Sequence, residues 1–474
     1  MNRRSIVVVG GGIAGLAAAW EASGGNTPTG DVFVEVIEAQ PSTGGALRTT
    51  NFAGHIIDLG ADGFLATRGE AVEFIREIGL GDHLVPIAAS GAWIYLRGQL
   101  EKIPTGLVLG VPTSAKQVRA MTSLSRRAKL QALRDQLFPR RLTLAGDPTI
   151  GAILRGKFGN ELVDELIEPM IGGIQAGRVD ELCASEVFPA LLTAARKGGS
   201  IMRAITPPKP ATPPPTPTPV FFSLDAGVGF MPTHLRQLLT DRGVVFRTGE
   251  AVSAIRHSPH EARVLRVETA TSVTPADAIV VATPPQVAGQ LLGNHSADVR
   301  ALEFMKSASS TMVTFAVPRS ASPLPASGTG VLVPLNTPFH KGDDSLITTA
   351  VTFLDRKWSR LSNEEVVLVR IHTGRIDDER AMALSDDAIA ERVHAELKQI
   401  FGSWPEPAEA WVQRWPHALP QYLPGHRAMV TAAREALQPL GIFLGGMAYD
   451  GVGVPASIGS GRRAGIDART HSQR

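Results

Sequence analysis

The sequence predicts an α/β protein in which a discontinuous Rossmann-like dinucleotide-binding domain carries a mixed-sheet substrate domain and an inserted helical domain. The first observation is a βαβ start. The β-branched run Ile6–Val9 leads through glycines into the helical stretch Leu16–Ser23, and Asp31–Ile37 follows as a second strand. The second observation is that buried strands return at Ala278–Ala282 and Ile442–Leu444. A single nucleotide-binding unit assembled from separated segments is the simplest architecture for these strands.

Shifts in composition set the predicted domain boundaries. The dinucleotide-binding domain is predicted from residues 1–66, 222–298 and 410–474, the substrate domain from 67–89 and 299–409, and the inserted helical domain from 90–205. Residues 206–221 are predicted to be a proline-rich linker, because prolines cannot donate the hydrogen bonds of a strand ladder.

The composition excludes several classes of protein. A chain of 474 residues with 43% hydrophobic residues can bury large cores, which excludes global disorder. The 47 basic and 45 acidic residues nearly balance, so no nucleic-acid partner is expected. The single cysteine, Cys183, excludes internal disulfides and favours a reducing compartment, which predicts a cytoplasmic protein. The twelve histidines include no His-x-x-x-His pair, and we expect no metal site.

Two stretches bear on contact with membranes. The start of the chain, Met1–Trp20, resembles a signal peptide in its basic residues and apolar run, but its glycine pattern favours a buried strand that enters a helix. No apolar run of 18 residues elsewhere predicts a spanning helix. The basic amphipathic stretch Ser125–Arg141 has one acid, Asp135. It predicts either a peripheral contact with the inner face of the cell membrane or an ordinary solvated helix face.

A glycine fingerprint follows the first strand. Residues Gly10–Gly15 match Gly-x-Gly-x-x-Gly, in which Gly10 allows the tight turn, Gly12 lets the backbone approach a pyrophosphate, and Gly15 permits close packing of helix on strand. The helix N-terminus offers free N–H groups to phosphates. Glu38 ends the second strand, where its carboxylate can bind ribose hydroxyls and would repel a 2′-phosphate. The sequence therefore predicts a dinucleotide other than NADP.

Two further stretches favour FAD over NAD. The pair Gly44-Gly45 allows a second close approach of the backbone, and Arg48 can pair with a phosphate. The C-terminal stretch Gly445–Pro455 again presents glycine-rich backbone where a strand passes into a helix. A flavin bound along its whole length needs such a return of the chain, whereas a nicotinamide does not.

Other motifs resemble those of a known family. They are Gly60–Leu65, similar to Gly-Pro-x-Ser-Phe-Leu; Gly110–Thr113; Glu168–Gly177, similar to Glu-Pro-x-x-x-Gly-Ile-Tyr-Ala-Gly; and Trp415 with Pro420-Gln421-Tyr422 and Gly425-His426. With the glycine motifs, they resemble the oxygen-dependent porphyrinogen oxidases of the flavin amine oxidase-like superfamily, which include protoporphyrinogen oxidase and the Gram-positive-type coproporphyrinogen III oxidase. The chain departs from the family at Ala61, where the family has proline, and at Gln175, where it has an aromatic residue.

The resemblance implies an activity and its partners. A non-covalent FAD would take hydrides from a reduced tetrapyrrole and pass them to molecular oxygen, which leaves as hydrogen peroxide, in haem biosynthesis. The similarity favours coproporphyrinogen III, with protoporphyrinogen IX as the second possible substrate. The enzyme that follows in the haem pathway is a further expected partner. Two different functions stay open at this point: an amine oxidase or desaturase of the same fold, and a redox-inactive binding protein.

The resemblance also implies site residues. The cofactor contacts are expected at Gly10, Gly11, Gly12, Ile13, Ala14, Gly15, Glu38, Ala39, Ala46, Arg48, Gly60, Ala61, Asp62, Gly63, Val252, Trp415, Gly453, Val454 and Pro455. Because the flavin performs the chemistry, no catalytic side chain is predicted. The substrate-facing candidates are Arg68, Gly173, Ile174 and Phe353. Arg68 is either a partner for a substrate propionate or a solvated residue at a helix start, and Phe353 belongs either to the pocket or to the core.

Overall fold

The structure is a computed structural model that describes residues 3–28, 30–139, 141–207, 219–257, 265–340 and 344–473. Most of the predicted proline-rich linker, residues 208–218, lies outside the described residues. The strands are β1 (Arg4–Val9), β2 (Val32–Glu38), β3 (Thr49–Phe52), β4 (His55–Asp58), β5 (Phe64–Leu65), β6 (Leu84–Pro86), β7 (Trp93–Leu96), β8 (Gln99–Lys102), β9 (Phe221–Leu224), β10 (Val245–Thr248), β11 (Val252–His257), β12 (Leu265–Thr269), β13 (Val273–Ala276), β14 (Ala278–Val281), β15 (Ser307–Pro318), β16 (Gly330–Leu332), β17 (Thr348–Phe353), β18 (Val366–Thr373), β19 (Glu409–Pro420) and β20 (Ile442–Leu444).

Helices cover much of the remaining chain. They are α1 (Ile13–Ala22), α2 (Gly69–Glu77), α3 (Ala115–Ala120), α4 (Arg126–Leu137), α5 (Ile150–Phe158), α6 (Asn160–Leu162), α7 (Glu168–Gln175), α8 (Ala184–Val187), α9 (Pro189–Lys197), α10 (Ile201–Ala204), α11 (Phe230–Asp241), α12 (Pro285–Leu292), α13 (Ala297–Arg300), α14 (Leu354–Lys357), α15 (Arg380–Ala383), α16 (Asp386–Phe401), α17 (His426–Leu437), α18 (Met447–Asp450) and α19 (Val454–Ser472). A π-helical turn, Val163–Ile167, joins α6 to α7.

A five-stranded parallel sheet in the order β10-β2-β1-β14-β20 forms the nucleotide-binding layer. Both of its faces are covered, which explains why β1 is apolar at consecutive positions. Ile6 and Val8 pack towards α1 and α19, whereas Val7 and Val9 pack towards β11–β13 and α17. Because all strands are parallel, their carboxyl ends meet at one edge, and the glycine turns after β1 and β20 lie there.

A seven-stranded mixed sheet forms the second layer, in the order β19-β15-β18-β17-β16-β7-β8. One face buries Val313, Phe315 and Val317 of β15 against Ile389 and Val393 of α16. Side chains alternate along a strand, so the even-numbered positions of β15 point to the opposite face. Helices α3–α10 form a separate layer with its own apolar core.

Two predicted boundaries differ from the structure. The strands β7 and β8 belong to the mixed sheet, although residues from 90 onwards were expected in the helical domain. The hairpin between them turns at Arg97 and Gly98, both with positive φ, which is a short local signal inside a mainly helical stretch. The strand β19 pairs along β15, so residues 410–420 also lie in the mixed sheet. The remaining domain boundaries stay predictions.

Candidate functional site

The glycine turn after β1 is tightly packed at Gly10 and open to a ligand at Gly12. Gly10 has φ +102°, and a Cβ there would lie 2.7 Å from the carbonyl oxygen of Ala282. A Cβ at Gly12, in contrast, would meet only the Cα of Gly45, at 4.0 Å. A backbone bridge joins Gly12 to Gly44, so the two predicted glycine motifs form one surface. This surface lets a ligand approach the backbone closely.

Two helices present their N-termini towards the same end of the molecule. Ala14 and Ala18 of α1 contact Gly461 and Gly465 of α19, which makes the helices parallel neighbours. In that register, α19 begins about six residues before the start of α1, which is about 9 Å. Neither helix has a side-chain cap at its N-terminus. Two offset helix ends with free N–H groups suit a long cofactor that carries negative charge at one point and an electron-accepting ring at another.

Glu38 lies at the edge of the glycine turn. Its Oε2 accepts a hydrogen bond from the backbone N–H of Gly11 at 2.6 Å, and its Oε1 accepts one from Gln40 at 2.8 Å. These bonds fix the carboxylate while leaving lone pairs for hydroxyl groups. The N–H of Glu250 donates to the carbonyl of Glu38 at 3.0 Å, which brings the start of β11 and the predicted residue Val252 to the same region. Ala39 follows Glu38 directly and is exposed.

Arg48 is a cation without a partner in the described part of the chain. Its Nε is buried and makes no hydrogen bond there. Its carbonyl accepts the N–H of Leu59 at 2.7 Å, so it lies beside the Gly60 loop. An uncompensated, partly buried guanidinium is costly unless an anion neutralises it. A diphosphate held by the glycine turns would do so, and the residues present therefore fit a bound dinucleotide.

The loop from Gly60 to Gly63 joins β4 to β5 and lies between the Ala46 turn and the mixed sheet. A Cβ at Gly60 would lie 2.2 Å from the carbonyl oxygen of Ala46, and the Trp415 indole donates to the carbonyl of Leu59 at 3.1 Å. Arg370 of β18 donates to the carbonyl oxygen of Gly60 at 3.3 Å. Trp415 and Arg370 thus hold this loop against the mixed sheet. Ala61 is exposed in the same loop.

Two residues of this loop, Asp62 and Gly63, have structural contacts of their own, and their predicted contacts with the cofactor stay predictions. The Asp62 carboxylate accepts hydrogen bonds from Lys357 at 2.8 Å and from the Trp358 indole at 3.2 Å. Burial alone would raise the pKa of Asp62, but Lys357 and Arg370 hold that pKa below its ordinary value. A Cβ at Gly63 would lie 2.6 Å from the Trp358 ring. The side chain at 62 and the missing side chain at 63 therefore let the loop pack against Lys357 at the end of α14 and against Trp358.

The mixed sheet presents a row of partly exposed side chains on the face opposite α16. Register pairs Leu332 with Ala350, Ala350 with His372, His372 with Met312, and Met312 with Gln413. We call these five residues the open row. Residues paired directly across strands share a face of the sheet. The next row, which includes Arg370, is closed by the Gly60 loop.

The helix α7 covers one end of the open row. A Cβ at Gly173 would lie 3.8 Å from Cδ2 of Leu332, and the Ile174 side chain is 51% exposed. The carbonyl of Gln175 accepts a hydrogen bond from Gln421 at 2.8 Å, whereas its side-chain Oε1 is buried without a partner in the described residues. A buried amide therefore stands at position 175, where the resemblance led us to expect an aromatic residue, and Gln421 fixes the backbone beside it.

Phe353 does not face this space. It is fully buried with its ring 6.3 Å from that of Phe401 of α16. Alternation along β17 sends Val351 and Phe353 towards α16 and Thr352 to the opposite face. Of its two interpretations, the core position is the one that the structure has. Sequence reasoning also missed Arg370 and His372, which the polar alternation within the apolar strand Val366–Thr373 could have indicated.

Arg68 lies just before α2, with an exposed side chain. A Cβ at Gly451 would lie 3.4 Å from its Nη1, so the guanidinium reaches the C-terminal glycine turn. In that turn Gly453 precedes α19, and Val454 and Pro455 open the helix. The structure thus brings Arg68 beside the turn where α19 begins.

Comparisons with known proteins show the family to which the chain belongs. The model of the family described as flavin containing amine oxidoreductase matches residues 13–465. The chain belongs to this family. It is 29% identical to coproporphyrinogen III oxidase of Bacillus subtilis, over 99% of each chain. It is 32% identical to that of Mycobacterium tuberculosis, over 98% of this chain and 97% of the other. A provisionally named protoporphyrinogen oxidase from Exiguobacterium has a crystal structure with a TM-score of 0.86 and 30% identity, covering 100% of both chains.

Membership of the flavin containing amine oxidoreductases confirms the predicted fold class, the FAD cofactor and the assignment as an oxidoreductase.

The chain's one cysteine, Cys183, is buried in the helical layer, where its N–H donates to the carbonyl of Tyr422 at 2.8 Å. No helix in the described ranges has both the length and the apolar character needed to cross a bilayer.

Proposed function

We propose that the chain oxidises coproporphyrinogen III to coproporphyrin III in haem biosynthesis. Each of three rounds would remove two electrons and two protons from the tetrapyrrole and reduce one molecule of oxygen to hydrogen peroxide. The observation that carries the proposal is that relatives named coproporphyrinogen III oxidase match over nearly their full length, at 29% identity in Bacillus subtilis and 32% in Mycobacterium tuberculosis.

The chain's own residues would bind and orient the two reactants. Bound FAD supplies the hydride acceptor and passes the electrons to oxygen. The glycine turns at Gly12 and Gly44 and the cation of Arg48 would hold its diphosphate, and Glu38 its ribose. The open row and Ile174 would form the walls of the slot for the tetrapyrrole. Such walls exclude water and fix the distance between the reacting atoms.

An aerobic assay with both porphyrinogens tests the substrate. Coproporphyrin and protoporphyrin fluorescence would be followed together with peroxide, at matched enzyme and substrate concentrations. We expect coproporphyrinogen III to have the higher kcat/KM. A strong preference for protoporphyrinogen IX would instead favour the activity named for the human relative, which is 27% identical over 98% of each chain.

Simple measurements separate this activity from two different functions. Turnover of a primary amine with no turnover of either porphyrinogen would indicate an amine oxidase. A protein that is purified gently and lacks flavin absorption would indicate a redox-inactive binder. Arg48 is partly buried and has no partner among the described residues, which supports a protein that retains its cofactor.

We also propose that α4 makes a peripheral contact with an anionic membrane. Leu130, Leu137 and Phe138 are 64%, 70% and 77% exposed on or beside this helix. Its acid, Asp135, points inward, where it accepts the N–H groups of Ile201 and Met202 at 3.1 and 3.0 Å. The outer surface therefore combines large apolar groups with arginines and no acid, a combination that suits anionic lipid.

Flotation with vesicles tests this contact. We expect the holoenzyme to float with phosphatidylglycerol vesicles and not with phosphatidylcholine vesicles, and Leu137→Glu with Phe138→Glu to abolish flotation. Binding that is equal to both lipids, or unchanged in the variant, would contradict the proposal. The predicted contact with the next haem-pathway enzyme would be tested by cross-linking the two purified proteins, with the same variant showing whether α4 takes part.

A further inference from the structure

The open row of the mixed sheet contains one titratable side chain, His372. The row runs from Leu332, under Gly173, to Gln413 at the side of Trp415. Its neighbour on the same strand face, Arg370, is fixed to the Gly60 loop. His372 therefore lies on the sheet between the loop that is proposed to hold the flavin and the helix that covers the substrate side.

The hydrogen bonding of His372 leaves one ring nitrogen unused. Its Nε2 lies 3.1 Å from Oγ1 of Thr352, which belongs to the adjacent strand and points to the same face. Its Nδ1 has no hydrogen-bond partner in the described part of the chain, and the side chain is partly exposed. A neutral imidazole carries one N–H and one lone pair, and the Thr352 hydroxyl can donate or accept, so the direction of that bond determines whether Nδ1 offers a lone pair or an N–H.

The surroundings keep the ring neutral. Burial lowers the pKa of His372 to about 3, and the neighbouring cations Arg370 and Lys357 act in the same direction. Asp62 is the acid that opposes them, and its carboxylate is already bonded to Lys357. A protonated imidazole would offer only donors, and it would repel the N–H donors of a reduced tetrapyrrole.

We propose that His372 accepts a hydrogen bond from a pyrrole N–H of the porphyrinogen, with its Nε2–H donated to Thr352 and the lone pair of Nδ1 facing the substrate. This inference rests on the proposed function and adds a contact that distinguishes substrate from product. A porphyrinogen has tetrahedral methylene bridges, so its ring is puckered and its N–H groups can point to one face. A porphyrin is flat, and its N–H groups lie in the plane and point into the ring.

The contact therefore exists for the substrate and is lost in the product. Such a loss favours release of the flat porphyrin after the last oxidation. A side chain that only shaped the slot would affect both molecules equally, and this difference makes the proposal testable.

The test compares the KM for coproporphyrinogen III with the inhibition constant of added coproporphyrin III, using flavin-loaded enzyme. We expect His372→Phe to raise KM about tenfold while the inhibition constant changes less than twofold. His372→Asn, which keeps an acceptor oxygen, should raise KM less. Thr352→Val keeps the shape of the side chain at 352 but removes its hydrogen bond to the imidazole of His372. This variant should also raise KM, with the inhibition constant unchanged. Flavin content and melting temperature report whether each variant is folded.

Each outcome decides the question. A rise in KM alone supports the contact. Parallel rises in KM and in the inhibition constant, or no change in either, overturn the proposal. If His372→Phe does not fold, His372→Asn and Thr352→Val test the contact in its place. If the wild-type enzyme oxidises neither porphyrinogen, the proposed function itself is wrong and this contact is wrong with it, which the wild-type assay alone reveals.

Discussion

The Cα of Gly461 faces the carbonyl oxygen of Ala14 so closely that a Cβ at 461 would lie 2.0 Å from that oxygen. One turn further, Gly465 faces Ala18 in the same way, at 2.3 Å. The first and last long helices of the nucleotide-binding layer are thus in backbone contact. This contact sets the offset between their N-termini, and with it the distance between the two ends of the proposed cofactor site.

Gly461→Ala should therefore separate the helices and weaken both folding and flavin binding. We expect a loss of about 2–4 kcal/mol in the free energy of unfolding, because the methyl group meets backbone atoms that cannot move away. FAD per polypeptide should fall with it. Gly459→Ala is the matched control, since its Cβ would have its nearest neighbours at 3.4 Å. That variant should be unchanged or slightly more stable. Equal behaviour of the two variants would contradict the prediction.

Arg48→Met should weaken FAD binding by about tenfold or more, because it removes a charged partner of the diphosphate. Arg48→Lys should restore part of the affinity, since lysine keeps the charge and loses the planar fork. The measurement is the dissociation constant of FAD for deflavinated protein, read from flavin fluorescence. Arg76→Met, at an exposed position of α2, is the control. An unchanged dissociation constant in Arg48→Met would place the diphosphate elsewhere.

The ion pair of Lys357 and Asp62 should make stability depend on acid. The pKa of Asp62 is lower in the folded chain than in the unfolded one, where it is about 3.9. The pair thus stabilises the fold above that pH, and its contribution is lost as the pH falls towards the folded value. Lys357→Met should cost about 3 kcal/mol at pH 7, and the difference from wild type should shrink below about pH 4.

Chemical denaturation at several pH values measures this difference. Lys398→Met is the control, because Lys398 and Glu406 form a pair in which both side chains are exposed, and it should cost less than about 0.5 kcal/mol. A cost for Lys357→Met that stays constant down to pH 3 would show that the lost interaction is packing rather than charge.

Arg68→Ala should raise the KM for coproporphyrinogen III while flavin content stays the same. Arg68 is exposed beside the turn where α19 begins, and a cation there can pair with a propionate. The KM of Arg68→Lys should lie between that of the wild type and that of Arg68→Ala. Steady-state kinetics with flavin absorption give both readouts. A loss of flavin in Arg68→Ala would mean that Arg68 supports the glycine turn at Gly451, and unchanged kinetics would remove it from the site.

Much of the fold could be predicted because the decisive signals are local. The β-branched runs of β1 and β14 are buried on both faces, and Gly10 and Gly15 stand where a Cβ would meet backbone. The strands β7 and β8 were missed because a short hairpin inside a helical stretch acquires its sheet only through a partner, Val331, that is more than two hundred residues away.

The site was harder to predict because its residues depend on which face of the mixed sheet stays uncovered. The alternation of side chains along a strand shows that Phe353 and Thr352 point to opposite faces of the sheet, but it does not show which face is covered by a helix. The covered face is the one on which α16 packs, and this helix lies later in the chain and buries Phe353. His372 was missed for the same reason. The side-chain partners of Asp62 could not be predicted either, because the positions of Lys357 and Trp358 follow from the tertiary fold alone.

Within the nucleotide-binding layer, β20 and α19 leave the ribosome after all of the other strands and after α1. Until β20 and α19 have been synthesised, Ala14 and Ala18 lack their partner glycines, and the parallel sheet lacks an edge strand. We therefore expect the coenzyme to bind only after both β20 and α19 have been synthesised. A nascent chain stalled before residue 442 should bind no flavin, and it should expose the apolar side of its first helix to chaperones.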